Sequence, residues 1–144
     1  MDKRNKVLFL CTGNSCRSQM AQGFCRKYHS GEIKPFSAGI VKHGLNRLAV
    51  KVMEEAGVDI SGHYSKTVDD LGEKEFDFVV TVCDDAYEKC PYFPAVTAVI
   101  HRNFDDPPRL AAKAATDEEA LVHYRRVRDE IKKFVIDLPS VLHS

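Results

Sequence analysis

Apolar residues recur along this chain in two rhythms. Short, nearly unbroken runs at 6–10, 33–40, 76–82 and 96–100 have the length and the Val, Ile and Phe content of buried strands. Between and after them the spacing changes to three and four. Met20, Ala21, Phe24 and Tyr28 predict a helix that follows a polar turn at 11–18 and ends at Ser30-Gly31. Leu45, Leu48, Ala49, Val52, Met53 and Ala56 predict a second, stopped by Gly57. Ala120, Tyr124, Val127, Ile131, Phe134 and Leu138 form the stripe of a last helix, with Thr116 and Glu119 in capping-box spacing at its start. Residues 65–71 read as a short helical turn. Residues 84–90, bounded by Pro91 and Pro94, read as helix or loop, and an irregular stretch begins at 105–108.

Strands alternating with helices predict an α/β fold: one domain, a four-stranded parallel sheet with helices on both faces. In such sheets ligands bind beyond the carboxyl ends of the strands. Cys11, Cys83 and the Asp105-Asp106 pair all fall just after predicted strands, and that convergence is the first sign of a site.

Composition narrows the function. The 144 residues suit one domain, and the formal net charge of zero argues against a nucleic-acid partner, though not against one small anion held by local dipoles. No apolar run approaches the roughly 20 residues of a membrane span, and the N-terminal run is too short for a signal peptide, so a cytoplasmic protein is expected. Five cysteines, at 11, 16, 25, 83 and 90, are an odd number in a reducing compartment. Reactive, metal-binding or buried thiols are then the options, rather than a disulfide framework.

The segment Cys11-Thr12-Gly13-Asn14-Ser15-Cys16-Arg17-Ser18 joins a strand to a helix. Such a turn can aim the backbone N–H groups of Thr12, Gly13, Asn14, Ser15 and Cys16 into one concavity at the positive end of the helix dipole. Arg17 adds a planar fork for two oxygens of a tetrahedral anion. The same field favours the thiolate of Cys11, to which Ser18 can donate a hydrogen bond. With one Gly and no Lys before the Ser, this is not a nucleotide P-loop.

The loop and the Gln-Met-Ala that follow it resemble the active-site loop of arsenate reductases on the low-molecular-weight tyrosine phosphatase fold. So do Phe36-Ser37-Ala38-Gly39-Ile40, His43-Gly44, Asp59-Ile60-Ser61, Val80-Thr81-Val82-Cys83, Phe104-Asp105-Asp106-Pro107 and Arg126-Val127-Arg128-Asp129-Glu130-Ile131. The resemblance covers nearly the whole chain. It implies a thiol relay: Cys11 attacks arsenic, Cys83 attacks Cys11 as arsenite leaves, Cys90 attacks Cys83, and thioredoxin reduces the final Cys83–Cys90 disulfide. A helix over 83–90 would hold those two sulfurs about 10 Å apart, beyond the roughly 7 Å limit for a bridge. Unwinding of that segment on oxidation is therefore expected. Cys16 is placed to form an off-pathway bridge with Cys11, and Cys25 reads as a packing residue.

Either Asp105 or Asp106 could serve as general acid by spacing alone; the resemblance chooses Asp106. Some relatives bind potassium beside the loop, and Asn14 and Ser37 match ligand positions there. Gln22 and Lys66 stand where carboxylates are expected, so an ammonium replaces the cation. No metal and no cofactor are expected, and a monomer is. The six histidines show no metal-ligand spacing and read as surface or core residues. The segment 107–115 reads as surface without assigned chemistry. Two other functions compete. One is a phosphatase using Cys11 alone, weakened by Pro108-Arg109-Leu110 where aromatic residues would grip phosphotyrosine. The other is a zinc or thiol-sensing module, opposed by the Cys-x6-Cys spacing and by Arg17.

Overall fold

The computed structural model describes residues 3–72, 75–83 and 95–143. Four strands, β1 (Asn5–Cys11), β2 (Ile33–Gly39), β3 (Phe76–Thr81) and β4 (Ala95–His101), form one sheet in the order β2-β1-β3-β4. Every pairing is parallel. β1 is paired on both sides, Cys11 standing opposite Gly39 of β2 and Leu10 opposite Thr81 of β3. Residues Val7 to Cys11 are all buried although alternate side chains point to opposite faces, so the sheet centre is covered on both sides. The chain leaves β1 toward β2 and later returns to its other side as β3. The end of β1 is thus where the strand order reverses, the place such sheets keep for ligands.

Helix α1 (Arg17–His29) follows β1 directly, and α2 (Arg47–Glu55) follows β2. The Asn46 side chain caps α2 by accepting from the N–H groups of Leu48 and Ala49, and Gly57, at φ +80°, ends the turn beyond it. A single 3-10 turn at Val68–Asp70 lies within the short helical turn expected there. Helix α3 (Pro107–Leu110) is one turn, α4 (Asp117–Ile136) is the long last helix, and α5 (Leu138–Leu142) closes the described chain. Thr116 caps α4, accepting from Glu119 N at 3.2 Å, while the Glu119 carboxylate returns to Ala115 N rather than to Thr116. No helix among the described residues is long and apolar enough to cross a membrane.

Two expectations change. The apolar stripe of the last helix continues to Leu138 in the sequence, but α4 ends at Ile136 and Leu138 opens α5, whose second residue is Pro139. Proline has no N–H to extend α4 and clashes with the preceding turn. Tyr28, placed in the buried stripe of α1, is 38% exposed, whereas Arg17 through Cys25 are all buried, Ser18, Gln19 and Gln22 included. The first half of α1 is buried because it lies under the site. The expected helix or loop over 84–90, with Cys90 and its unwinding, lies outside the described residues.

Candidate active site

The loop between β1 and α1 is held from outside by its own carbonyls. Cys11 O accepts from Ile40 N, and Thr12 O from Ile40 N and Val41 N. Gly13 O accepts from His43 N and from Ser65 Oγ, and Ser15 O from Asn46 N. Asn14 O accepts from the Gln19 amide, and Cys16 O from Met20 N. Across a trans peptide the next N–H points the opposite way. The N–H groups that follow these held carbonyls therefore face away from the groups that hold them, as an anion cup requires. No side chain caps α1, so its first N–H groups add to the same field.

Gly39 is the position on which this wrapping depends. A methyl there would lie 2.6 Å from Val41 O, 2.7 Å from Asn14 N and 2.8 Å from the Gly13 carbonyl carbon, all rigid backbone. Gly39→Ala is expected to cost about 1–3 kcal/mol of stability and to weaken phosphate binding. Chemical denaturation and an inhibition assay check the two effects, and a variant as stable and as tightly inhibited as the parent contradicts the close fit.

Inside the cup, Cys11 Sγ lies 2.9 Å from Ser18 Oγ. Ser18 Oγ also accepts from the Asn14 amide at 2.8 Å, and its hydroxyl proton can be donated to a Cys11 thiolate. Asn14 holds a left-handed conformation, φ +49°, and is completely buried. Arg17 is 9% exposed; one arm donates to Phe104 O at 2.9 Å and the other lies 3.7 Å from Asp106 Oδ1. Asp105 turns outward to Arg126 at 2.8 Å, which also pairs with Glu130. The structure thus separates two aspartates that spacing could not: the Asp106 carboxylate lies beside Arg17, and that of Asp105 pairs with Arg126.

Cys83 is buried, its sulfur 3.3 Å from Thr12 Oγ1, the residue next to Cys11. A cavity of about 550 Å³ is lined by Thr12, Arg17, Cys83, Asp106 and Arg109. A second, of about 380 Å³, is lined by Cys11, Gly13, Cys16, Arg17, His43 and Asp106. Thr12, Arg17 and Asp106 are common to both, so the two thiols open onto adjoining spaces. Segment 107–115, expected to carry no chemistry, contributes Pro108 to one wall and Arg109 and Leu110 to the other. Burial, with the Cys11 sulfur beside it, pushes the Cys16 thiol far above its ordinary range, and burial raises Cys25 to about 12. Both stay protonated at neutral pH.

Behind the loop lies a polar layer that periodicity did not disclose. Lys66 Nζ lies 3.2 Å from Ser37 Oγ, 3.2 Å from Tyr64 O and 3.4 Å from Asn14 Oδ1. Gln19 donates to Asn14 Oδ1 and to Tyr64 O, and Ser37 donates to Gln22. His63 Nδ1 meets Gln19 Oε1 at 2.9 Å while Arg26 meets Nε2 at 2.8 Å. Since arginine only donates, His63 must carry its proton on Nδ1. Burial and the Arg26 charge lower its pKa to about 4, so the ring is neutral. Burial, and then Arg26, lower Lys66 to about 8. The polar residues Ser18, Gln19 and Gln22 on one side of α1 were the available signal, but charged and amide side chains at that spacing ordinarily mark a solvated face. Among the described residues no group of His, Cys, Asp and Glu has the arrangement of a metal site.

The model of the low molecular weight phosphotyrosine protein phosphatase family matches residues 6–143. The chain belongs to this family. Within it, the chain is 50% identical over 128 residues to the arsenate reductase of Bacillus subtilis, covering 88% of this chain and 90% of that protein. The family fold also aligns with a solved arsenate reductase in a phosphate-binding state at TM-score 0.78 and 30% identity, covering 96% of this chain and 98% of the other. The thioredoxin-dependent arsenate reductase of Corynebacterium glutamicum, at 22% identity and TM-score 0.70, shares the fold over 99% of this chain and 63% of its own.

Proposed function

We propose that this protein is an enzyme that reduces arsenate to arsenite, with Cys11, Cys83 and Cys90 as a thiol relay and thioredoxin as its reductant. The observation that carries the reading is Cys83, a second buried thiol hydrogen-bonded to the residue next to Cys11. The 50% identity to arsenate reductases over most of the chain supports the substrate.

The cup amides and Arg17 neutralise the oxyanion so that the Cys11 thiolate can approach arsenic. An S–As bond forms, one oxygen leaves, and Asp106 protonates it to water. Cys83 then attacks the Cys11 sulfur. The electrons of the S–As bond pass to arsenic, which departs as arsenite, and a Cys11–Cys83 disulfide remains. Cys90 displaces Cys11 from Cys83, and the dithiol of thioredoxin takes up the Cys83–Cys90 disulfide. Two thiols supply the two electrons, so no bound cofactor is needed.

Arsenate-dependent consumption of NADPH in the presence of thioredoxin and thioredoxin reductase tests this directly. Sustained turnover is expected, with slow hydrolysis of aryl phosphates from the shared cup. Brisk aryl phosphate hydrolysis without arsenate turnover would instead make this a phosphatase with spare cysteines.

Lys66 acts in this reading as a tethered cation behind the loop, joined to Asn14, Ser37 and the Tyr64 carbonyl. The melting temperature at pH 7 is therefore expected to be the same in potassium and in sodium. Lys66→Asp should make it rise with potassium. The depressed pKa means that between pH 8 and about 10.5 the unfolded chain binds more protons here than the folded one. The contribution of this group to stability accordingly rises with pH across that window, while the ammonium itself is lost. Potassium stabilisation of the parent protein would remove Lys66 from this role.

A further inference from the structure

Gly13 has no Cβ, and the space is filled by a histidine. A methyl there would meet Nδ1 of His43 at 2.2 Å and its Cγ at 2.6 Å, so the Nδ1 side of the imidazole packs against Gly13. The His43 N–H to Gly13 O hydrogen bond of 3.0 Å fixes the ring's origin. From there the side chain forms part of the wall of the cavity that holds Cys11 and Arg17, with Asp106 and Pro108 lining the same space. His43 is exposed, and neither ring nitrogen is hydrogen-bonded to a described residue. An imidazole fixed at its base, free at both nitrogens and set in the wall of an anion cup has donor capacity that the fold itself does not use.

In an in-line displacement three oxygens of the tetrahedral anion face the cup and the fourth points out of its mouth, opposite the attacking sulfur. We propose that His43 is a substrate-contacting residue that selects unesterified oxyanions, donating a ring N–H to the outward oxygen and narrowing the mouth against an ester group. The inference rests on the arsenate-reducing function above and adds a specificity determinant to it. The outward oxygen is where arsenate and an aryl phosphate differ. Arsenate presents a hydroxyl or oxyanion there, which accepts the hydrogen bond. An aryl ester presents a bulky group, which meets the ring.

The test is steady-state kinetics of the full-length protein and its His43→Ala and His43→Asn variants, with arsenate and with p-nitrophenyl phosphate. His43→Ala is expected to raise the KM for arsenate about tenfold, the scale of one hydrogen bond to a charged ligand, with kcat changed far less. Its kcat/KM for p-nitrophenyl phosphate should hold or rise, so that the ratio of the two substrates moves by about tenfold or more. His43→Asn keeps a donor and should recover most of the arsenate KM. Inhibition by inorganic phosphate should weaken in His43→Ala in parallel with arsenate. An unchanged arsenate KM in His43→Ala would overturn the inference while leaving the function intact. So would equal losses on both substrates that His43→Asn does not relieve, since that pattern marks a structural residue. Absence of arsenate turnover in the parent protein would overturn both.

Discussion

Cys90→Ser is expected to yield one arsenite per protein molecule and then stop. Cys11 and Cys83 suffice for the chemistry at arsenic, since together they supply both electrons. The disulfide they leave is the wrong one to hand on, because Cys83 is buried and its partner lies at the bottom of the cup. In the proposed relay Cys90 displaces Cys11 from Cys83 and so frees it for a second cycle. Sustained turnover with thioredoxin should therefore fall by about a thousandfold or more, on the scale of losing an essential member of a catalytic unit. A single-turnover burst of arsenite should survive, and the free-thiol count should fall by two. Cys83→Ser is expected to release no arsenite even once. Sustained turnover by Cys90→Ser would show that the reductant reaches the Cys11–Cys83 disulfide directly and that the third thiol is dispensable.

Asp106→Asn should lower kcat by about 10²–10⁴, the usual contribution of a positioned general acid. Asp105→Asn should stay within a few-fold of the parent protein. The geometry behind this is a divergence of neighbours. Asp106 is 39% exposed, 3.7 Å from Arg17, and lines both cavities. Asp105 makes an exposed pair with Arg126, of a kind worth at most about 1 kcal/mol. The loss in Asp106→Asn should shrink for a substrate whose leaving oxygen needs no proton, such as a good aryl leaving group. Rates measured across such a series separate a proton donor from a residue that only holds Arg17 in place. An equal loss in Asp105→Asn would reverse the assignment.

The sheet and helices were legible because local and global preferences agree in them. β1 is apolar and buried on both faces from Val7 to Cys11, and α2 carries its stripe and terminating Gly57 in sequence. Where the reading failed, a distant part of the chain had altered the meaning of a residue. Gln19 and Gln22 look solvated, yet they are buried because Ser37, His63 and Tyr64 satisfy them from two other segments. His43 looks like an ordinary surface histidine until Gly13 is seen beneath it. Leu138 kept the helical rhythm past the end of α4 because periodicity takes no account of Pro139. The loop stood out for the opposite reason: Cys11, Arg17 and Ser18 are close in sequence, with a strand before them and a helix after, so their neighbourhood needed no distant segment.

The ammonium of Lys66 has a consequence for the conditions under which the loop keeps its shape. A dissolved cation stabilises a protein according to its concentration relative to its affinity, so occupancy follows the medium. A charge carried on a side chain has no such term: its occupancy is set when the chain folds, and dilution cannot remove it. The variable that does remain is the proton, because this amine releases one near pH 8. On the proposed role of Lys66, the loop is expected to be insulated from the ionic composition of its surroundings and to answer instead to their alkalinity.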